Sequence, residues 1–257
     1  MSIWTFRQAV VGSENIGNMT SEDWQRIAAD YESVRSSGGS LDALIEWPAQ
    51  QRMIGGVEGL SILDLGCGSG AKAVWLAQQG ARVVGLDIVD AFAEIPHDVD
   101  VKLRVGDLND IRATIGDERF DVVTVLQAIG YATDEAALLR DVFEAVVPGG
   151  HLVVARSHPI RFAVERSEAE HIPLAVAYRA SSPFTYPATW GTGTVTHRTF
   201  TFRETLQPAL NAGFLLDEID EPSPTRQLRE ISPERAAWMD SHVGIIIYRF
   251  RKPLDGR

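Results

Sequence analysis

The chain has one cysteine, Cys67, among its 257 residues. A single thiol forms no internal disulfide and cannot build a cysteine-based zinc site. A reducing, cytoplasmic setting is therefore expected. Basic residues are also scarce relative to acidic ones, giving a formal net charge of -11. Nucleic-acid binding calls for a basic face, so no nucleic-acid partner is expected. The acidic balance suits a neutral or cationic small partner, and it also serves solubility alone. No apolar run approaches the ~18 residues of a membrane span. The N-terminus lacks a basic flank before an apolar stretch, so it is read as carrying no signal peptide. There is no H-E-x-x-H or similar ligand cluster, and no metal is expected.

What is present is a run of glycines in an apolar setting. Ile62-Leu63-Asp64-Leu65 leads into Gly66-Cys67-Gly68-Ser69-Gly70. An Ala/Leu-rich segment follows, with Ala73, Leu76 and Ala77 at helical spacing and Gly80 as its stop. This is a strand, a tight turn and a helix, the arrangement that lets a ligand approach backbone. The spacing is G-x-G-x-G, not the G-x-G-x-x-G of a dinucleotide loop, and no G-K-[ST] of a P-loop is present. Asp64 stands just before the glycines. A carboxylate there repels a pyrophosphate and suits an ammonium group.

Alternation of strands and helices continues from about Leu60, the pattern of a parallel sheet. Strands are expected at Ser61–Leu65, Arg82–Leu86, Val101–Val105, Phe120–Leu126, His151–Ala155, Phe214–Ile219 and Val243–Phe250. Their near-continuous apolar character fits strands covered on both faces. A helix is expected from about Glu135 to Val147, stopped by Pro148-Gly149-Gly150, and another from Arg203 to Asn211. Upstream, Trp24, Ile27, Ala28 and Tyr31 recur with helical period after the capping pair Thr20 and Asp23. Leu41, Leu44 and Ile45 suggest a further helix ending before Pro48. Residues 157–202 show no clear βα unit but are dense in aromatics, which argues for a functional insertion rather than disorder. The polar stretch holding Pro222, Pro224 and Pro233 has no assigned element.

Asp87 ends the second strand, 23 residues after Asp64. In doubly wound folds an acidic side chain at that place binds ribose hydroxyls. Asp107 follows the third strand in Val105-Gly106-Asp107-Leu108. The motif D-x-G-x-G-x-G, with Asp87, Asp107, the Pro148-Gly149-Gly150 turn and the last strand, resembles the class I S-adenosylmethionine (SAM) methyltransferases. Ser157-His158-Pro159, His197-Arg198-Thr199, Gly213-Phe214 and Glu221-Pro222 further resemble a bacterial small-molecule group with a cap between strands five and six. The resemblance implies an α/β, Rossmann-like doubly wound sheet of seven strands, mostly parallel with an antiparallel last strand, plus N-terminal helices and an inserted cap. Residues 1–59 would form an arm and helical lid, and 60–257 the SAM-binding domain with its cap at about 157–202.

By that resemblance SAM is the cofactor. Its contacts would come from Tyr31, Asp64, Gly66, Cys67, Gly68, Asp87, Ile88, Asp107, Leu108 and Gln127, with Asp107 on the adenine amino group beside the Leu108 N–H. The expected reaction is methyl transfer to a nitrogen or oxygen of a small, aromatic or cationic metabolite. Such a displacement needs alignment, exclusion of water and, for some acceptors, a proton acceptor near neutral pKa. His158 is the first candidate for a base or a substrate-orienting residue and His197 the second, and Tyr131 would flank the methyl group or line the pocket. Aromatic residues of the cap would stack on rings or attract cations. A homodimer is compatible with this reading, and no membrane partner is expected. Three other functions fit the same loop: a SAM-binding enzyme of cyclisation or rearrangement, a non-catalytic SAM-binding regulator, and an NAD(P) oxidoreductase. The glycine spacing and Asp64 speak against the last.

Overall fold

The computed structural model describes residues 39–180, 182–187 and 194–254, with only the backbone for 184–187 and 194–198. The arm of residues 1–19 and the helix expected around Trp24 to Tyr31 lie outside the described residues.

Seven strands form one sheet: β1 (Ser61–Leu65), β2 (Arg82–Asp87), β3 (Val101–Val105), β4 (Phe120–Leu126), β5 (Val146–Ser157), β8 (Leu215–Asp220) and β9 (Ile245–Arg251). Their spatial order is β3-β2-β1-β4-β5-β9-β8. β1 to β5 pair in parallel, and β9 lies antiparallel between β5 and β8. The seven expected strands and the reversed last strand are therefore all present. Alternation of side chains sorts these strands into two cores. Leu63, Leu65, Val123, Val125, Leu152, Val154 and Tyr248 face one layer. Ile62, Val122, Val153, Ala155, Ile245 and Ile247 face the other. The first layer is closed by α3 (Ile111–Ile115), α4 (Glu135–Ala145) and α7 (Phe202–Ala212), and the second by α1 (Trp47–Ile54) and α2 (Ala71–Gln78).

The carboxyl edge of the sheet is roofed by three pieces of chain. A π-helical turn, Asp42–Glu46, leads into α1. After β5 come α5 (Pro159–Glu170), α6 (Leu174–Arg179) and the hairpin β6 (Pro183–Pro187) with β7 (Thr194–Arg198). Between β8 and β9 lie α8 (Arg226–Ile231) and α9 (Pro233–Ser241). Leu44 and Ile45 of the π-helical turn pack on Leu228 and Ala236, so the first and third pieces share a small core.

The structure corrects several expectations. Pro48 does not end a helix. It sits in the first turn of α1, where a missing N–H is tolerated. The widened turn before it takes up the break, with the Trp47 N–H reaching back to the Asp42 carbonyl. Residues 157–202 hold two helices and a hairpin, and the polar stretch after β8 holds two more helices. The helix expected to run to Val147 stops at Ala145, and β5 already begins at Val146. Pro148-Gly149-Gly150 is thus part of β5 and not a helix stop. A Cβ on Gly150 would lie 2.6 Å from the Asp121 carbonyl, so only glycine lets β4 and β5 approach there.

At the amino edge, Ser61 and Asp121 staple β1 to β4. The Ser61 N–H and hydroxyl donate to Asp121 Oδ2 at 2.8 and 2.6 Å, and the Asp121 N–H donates to Ser61 Oγ at 3.2 Å. Burial alone would raise the Asp121 carboxyl, but the Ser61 hydroxyl and amide and the Arg82 cation outweigh it and hold it below the usual range. A carboxyl depressed in the folded state stabilises the fold above its unfolded pKa. That contribution is lost as pH falls through the folded value. Asp121→Ala is therefore expected to cost about 1–2 kcal/mol in urea unfolding at pH 7. The difference from the parent protein should shrink towards zero near pH 2.

Candidate active site

The site is built where strand order reverses, between β1 and β4, at the carboxyl ends of the strands. β1 runs into the glycine turn. Gly66, Gly68 and Gly70 all have left-handed backbone, with φ of 72°, 58° and 84°. The Gly66 and Cys67 N–H groups both donate to the Leu86 carbonyl, at 2.7 and 3.1 Å, which ties the turn to β2. Gly66 also abuts the loop after β4. A Cβ there would stand 2.3 Å from the Ala128 Cβ. Above Gly68 the space is open among the described residues, none of which has an atom within 4 Å of a Cβ built there.

Three adjacent strands each deliver a carboxylate to this edge. Asp64, at β1, is 2% exposed and accepts the Thr124 hydroxyl at 2.7 Å. Asp87 ends β2 and braces the glycine turn: Oδ2 accepts the Gly68 N–H at 2.8 Å and Oδ1 accepts the Val89 N–H at 3.2 Å. A carboxylate offers about four acceptor positions, so two remain for a ligand diol. Asp107 follows β3 and caps a short helical turn, its Oδ1 accepting the Asn109 N–H at 2.8 Å. Its Oδ2 has no partner among the described residues.

The remaining expected contacts fall around this row. Ile88 is exposed at the end of β2. Leu108 and Tyr131 are partly buried against the core layer of α4. Cys67 is buried, and burial, with Asp64 and Asp87 close by, pushes its thiol far up. It is therefore an inert packing residue and no nucleophile. Gln127 has a left-handed backbone, φ 61°, held by its N–H on the Ala155 carbonyl at 2.8 Å. Left-handed backbone at a residue other than glycine is costly and clusters at functional sites.

His158 is not placed as a base would be. Its Nδ1 accepts the Ile160 N–H at 3.1 Å, capping α5, and its Nε2 lies 2.6 Å from Glu221 Oε1. These bonds assign the ring proton to Nε2, donated to Glu221. The ring is 2% exposed and edge-on to Phe202. Both nitrogens are committed, so His158 orients α5 and the loop after β8. His197 lies on β7 opposite Phe184; its side chain, like all of Tyr31, lies outside the described residues.

Sequence reasoning assigned no role to a second group of charges at the carboxyl edge. Lys72, in the first turn of α2, is buried and donates to Asp42 Oδ1 at 2.9 Å and Gln50 Oε1 at 2.7 Å. It also stands 5.0 Å from the Trp47 ring. Glu46, in the π-helical turn, accepts the Gln127 side-chain amide at 3.3 Å. Arg156, at the carboxyl end of β5, forks onto Glu135 at 2.8 and 3.3 Å and stacks 4.4 Å from the Phe200 ring. The only sequence signal for these residues is charge inside otherwise apolar segments.

An open α/β sheet in this strand order, with a glycine turn and one acidic side chain at the carboxyl end of each of its first three strands, is the fold of the class I SAM-dependent methyltransferases. Comparison with known proteins agrees. Residues 63–154 match the family described as "Methyltransferase domain". A ubiquinone biosynthesis O-methyltransferase of Alkalilimnicola ehrlichii is 34% identical over 106 residues, covering 39% of this chain and 42% of that protein. A cypemycin N-terminal methyltransferase of Streptomyces is 32% identical over 140 residues, covering 51% and 55%. The chain spans about half the length of these two curated relatives. Among solved structures, an S-adenosylmethionine-dependent methyltransferase of Mesorhizobium loti superposes with a TM-score of 0.62 at 26% identity, covering 80% of this chain and 97% of that one. Residues 63–154 thus match a methyltransferase domain, and the chain has the fold of SAM-dependent methyltransferases, a class whose cofactor is SAM. The open space above Gly68 and the free acceptor positions on Asp87 and Asp107 fit that cofactor. Among the described residues no helix is long and apolar enough to cross a membrane.

Proposed function

We propose that the protein transfers a methyl group from SAM to a nitrogen or oxygen of a small metabolite. The observation that carries this reading is the row of Asp64, Asp87 and Asp107 at the ends of three neighbouring strands beside the open glycine turn. Such a row matches a ligand with an ammonium group at one end, a ribose diol in the middle and an adenine amino group at the other. When bound, SAM supplies a methyl on a sulfonium whose leaving group is neutral, so the site needs no acid. The protein's share is orientation and dryness. Asp87 and Asp107 hold the nucleoside, Asp64 faces the ammonium end, and Gln127 and Tyr131 border the place where an acceptor arrives. The roof of α5, α6 and the β6–β7 hairpin, with the described residues 39–59, serves as cap over a small substrate.

Calorimetric titration with SAM, S-adenosylhomocysteine and NAD tests the cofactor. Both sulfur ligands should bind and NAD should not. Asp107→Ala is expected to weaken S-adenosylhomocysteine about tenfold, the worth of one hydrogen bond to a charged group. Product mass then separates methyl transfer, which adds one methyl, from a cyclisation, which adds nothing. Binding of NAD alone would refute the proposal.

A further inference from the structure

The acceptor side of the site contains a carboxylate that forms no ion pair among the described residues. Glu46 projects from the π-helical turn to Gln127, whose strained backbone sits at the carboxyl end of β4. Two cations stand near it, and each has a carboxylate of its own. Lys72 of α2 pairs with Asp42 at 2.9 Å, and Arg161 of α5 pairs with Glu165 at 2.9 Å. Glu46 itself has no lysine or arginine within ion-pair distance among the described residues, only the neutral Gln127 amide. Burial raises its carboxyl above the ordinary glutamate range and Asp42 adds to this, while the Gln127 bond, Lys72 and Arg161 pull it back.

A partly buried carboxylate without an ion-pair partner is costly, and a cation or a proton relieves it. A structural carboxylate would be expected to hold one of the neighbouring cations. Here they are placed on other partners, and Glu46 is left facing the edge where an acceptor arrives.

We infer that Glu46 receives the acceptor's proton and that the acceptor is a protonated amine. This rests on the methyl-transfer reading above. On binding, the ammonium supplies the missing positive charge. One N–H bond of the ammonium breaks and an O–H bond forms on the Glu46 carboxylate, leaving the nitrogen lone pair free as the nucleophile. A unit negative and a unit positive charge become two neutral groups in an enclosed site. The proton returns to solvent when product leaves. A phenol fits worse. It brings no positive charge, and its proton transfer to Glu46 would only move the buried negative charge to the phenolate.

The test uses the full-length protein and Glu46→Gln, which keeps size and a hydrogen-bonding partner for Gln127. Both proteins should melt cooperatively and bind S-adenosylhomocysteine alike. A panel of arylalkyl amines and matched phenols is then screened with SAM by product mass. The expected product of the parent enzyme is an N-methyl amine. For that amine Glu46→Gln should lower kcat/KM by about 50-fold at pH 7, the low end of general-base effects. The loss should narrow to a few-fold near pH 9.5, where solution supplies the neutral amine. A merely structural role gives a loss that does not change with pH. Without turnover, the same amine should bind the S-adenosylhomocysteine complex more weakly in Glu46→Gln, while its N-acetyl derivative binds both proteins equally. Methylation of phenols alone, no methylated amine from a protein that binds S-adenosylhomocysteine, or a variant within threefold of the parent at pH 7 overturns the assignment. Failure of the parent protein to bind S-adenosylhomocysteine instead overturns the methyltransferase reading itself.

Discussion

Asp87→Ala is expected to reduce affinity for S-adenosylhomocysteine on the order of 10³-fold, close to abolishing it. The effect has two sources. The carboxylate offers its free acceptor positions to the ribose diol, and each hydrogen bond to a charged group contributes about 1.5–3 kcal/mol. It also holds the Gly68 and Val89 N–H groups at 2.8 and 3.2 Å. Removing it frees the glycine turn, so a ligand would have to order the turn on binding. Asp87→Asn separates the two. Its amide oxygen can still accept the Gly68 N–H, but its NH2 group turns one side from acceptor to donor. An intermediate loss, near 10²-fold, is expected from calorimetry. Equal losses in both variants would place the whole effect in the diol contacts. Unchanged affinity in Asp87→Ala would remove Asp87 from the site.

Gly66→Ala should damage stability and ligand binding together. The added Cβ would meet the Ala128 Cβ at 2.3 Å, and both belong to backbone that cannot swing aside. The φ of 72° adds strain for any residue with a side chain. Overpacking of this kind costs about 1–3 kcal/mol and left-handed backbone about a further 1. A loss of roughly 3–4 kcal/mol in urea unfolding is expected, with binding of S-adenosylhomocysteine lost even where the variant remains folded. A second change, Ala128→Gly, removes the atom that is struck but not the strain, so it should restore about half of the stability. Failure of Ala128→Gly to restore any stability would show that the contact is not the cause.

The sheet was legible because its chemistry is uniform. Ile62 to Leu65, Val83 to Leu86 and Val122 to Leu126 are short, mostly apolar runs with glycine or an acid at one end and a polar residue at the other, and burial on both faces requires that composition. The last strand followed the resemblance, and it pairs with β5 as that implied. The roof was not legible, for two reasons. Its helices have small apolar faces, so period carries little signal. Their starts are also marked by proline, which is easily taken as a stop. Pro48, Pro159 and Pro233 all stand in first turns, where a fixed φ begins a helix and no N–H is missed. His158 looked like a base because it follows a strand at the carboxyl edge. What decided otherwise was a local bond, Ile160 N–H to Nδ1, that depends on the turn into α5. Asp87 and Asp107 could be found because strand ends fix their place, whereas Glu46 depends on how a turn far upstream packs over β4.

The interior place of β9 bears on how the molecule is made. During synthesis β1 to β5 can pair as they emerge, since each finds its neighbour already present or close behind. β5 then presents an open edge, and it keeps that edge while the insertion, α7, β8, α8 and α9 are added. Among the described residues β8 has no partner in the sheet except β9. Until Ile245–Arg251 arrives, the nascent chain carries an uncovered strand edge along β5. Such edges invite pairing with other chains. The last strand is therefore the point at which the growing chain either closes its sheet or aggregates, and a protein cut short before Ile245 would leave the β5 edge open although every piece of its roof has been made.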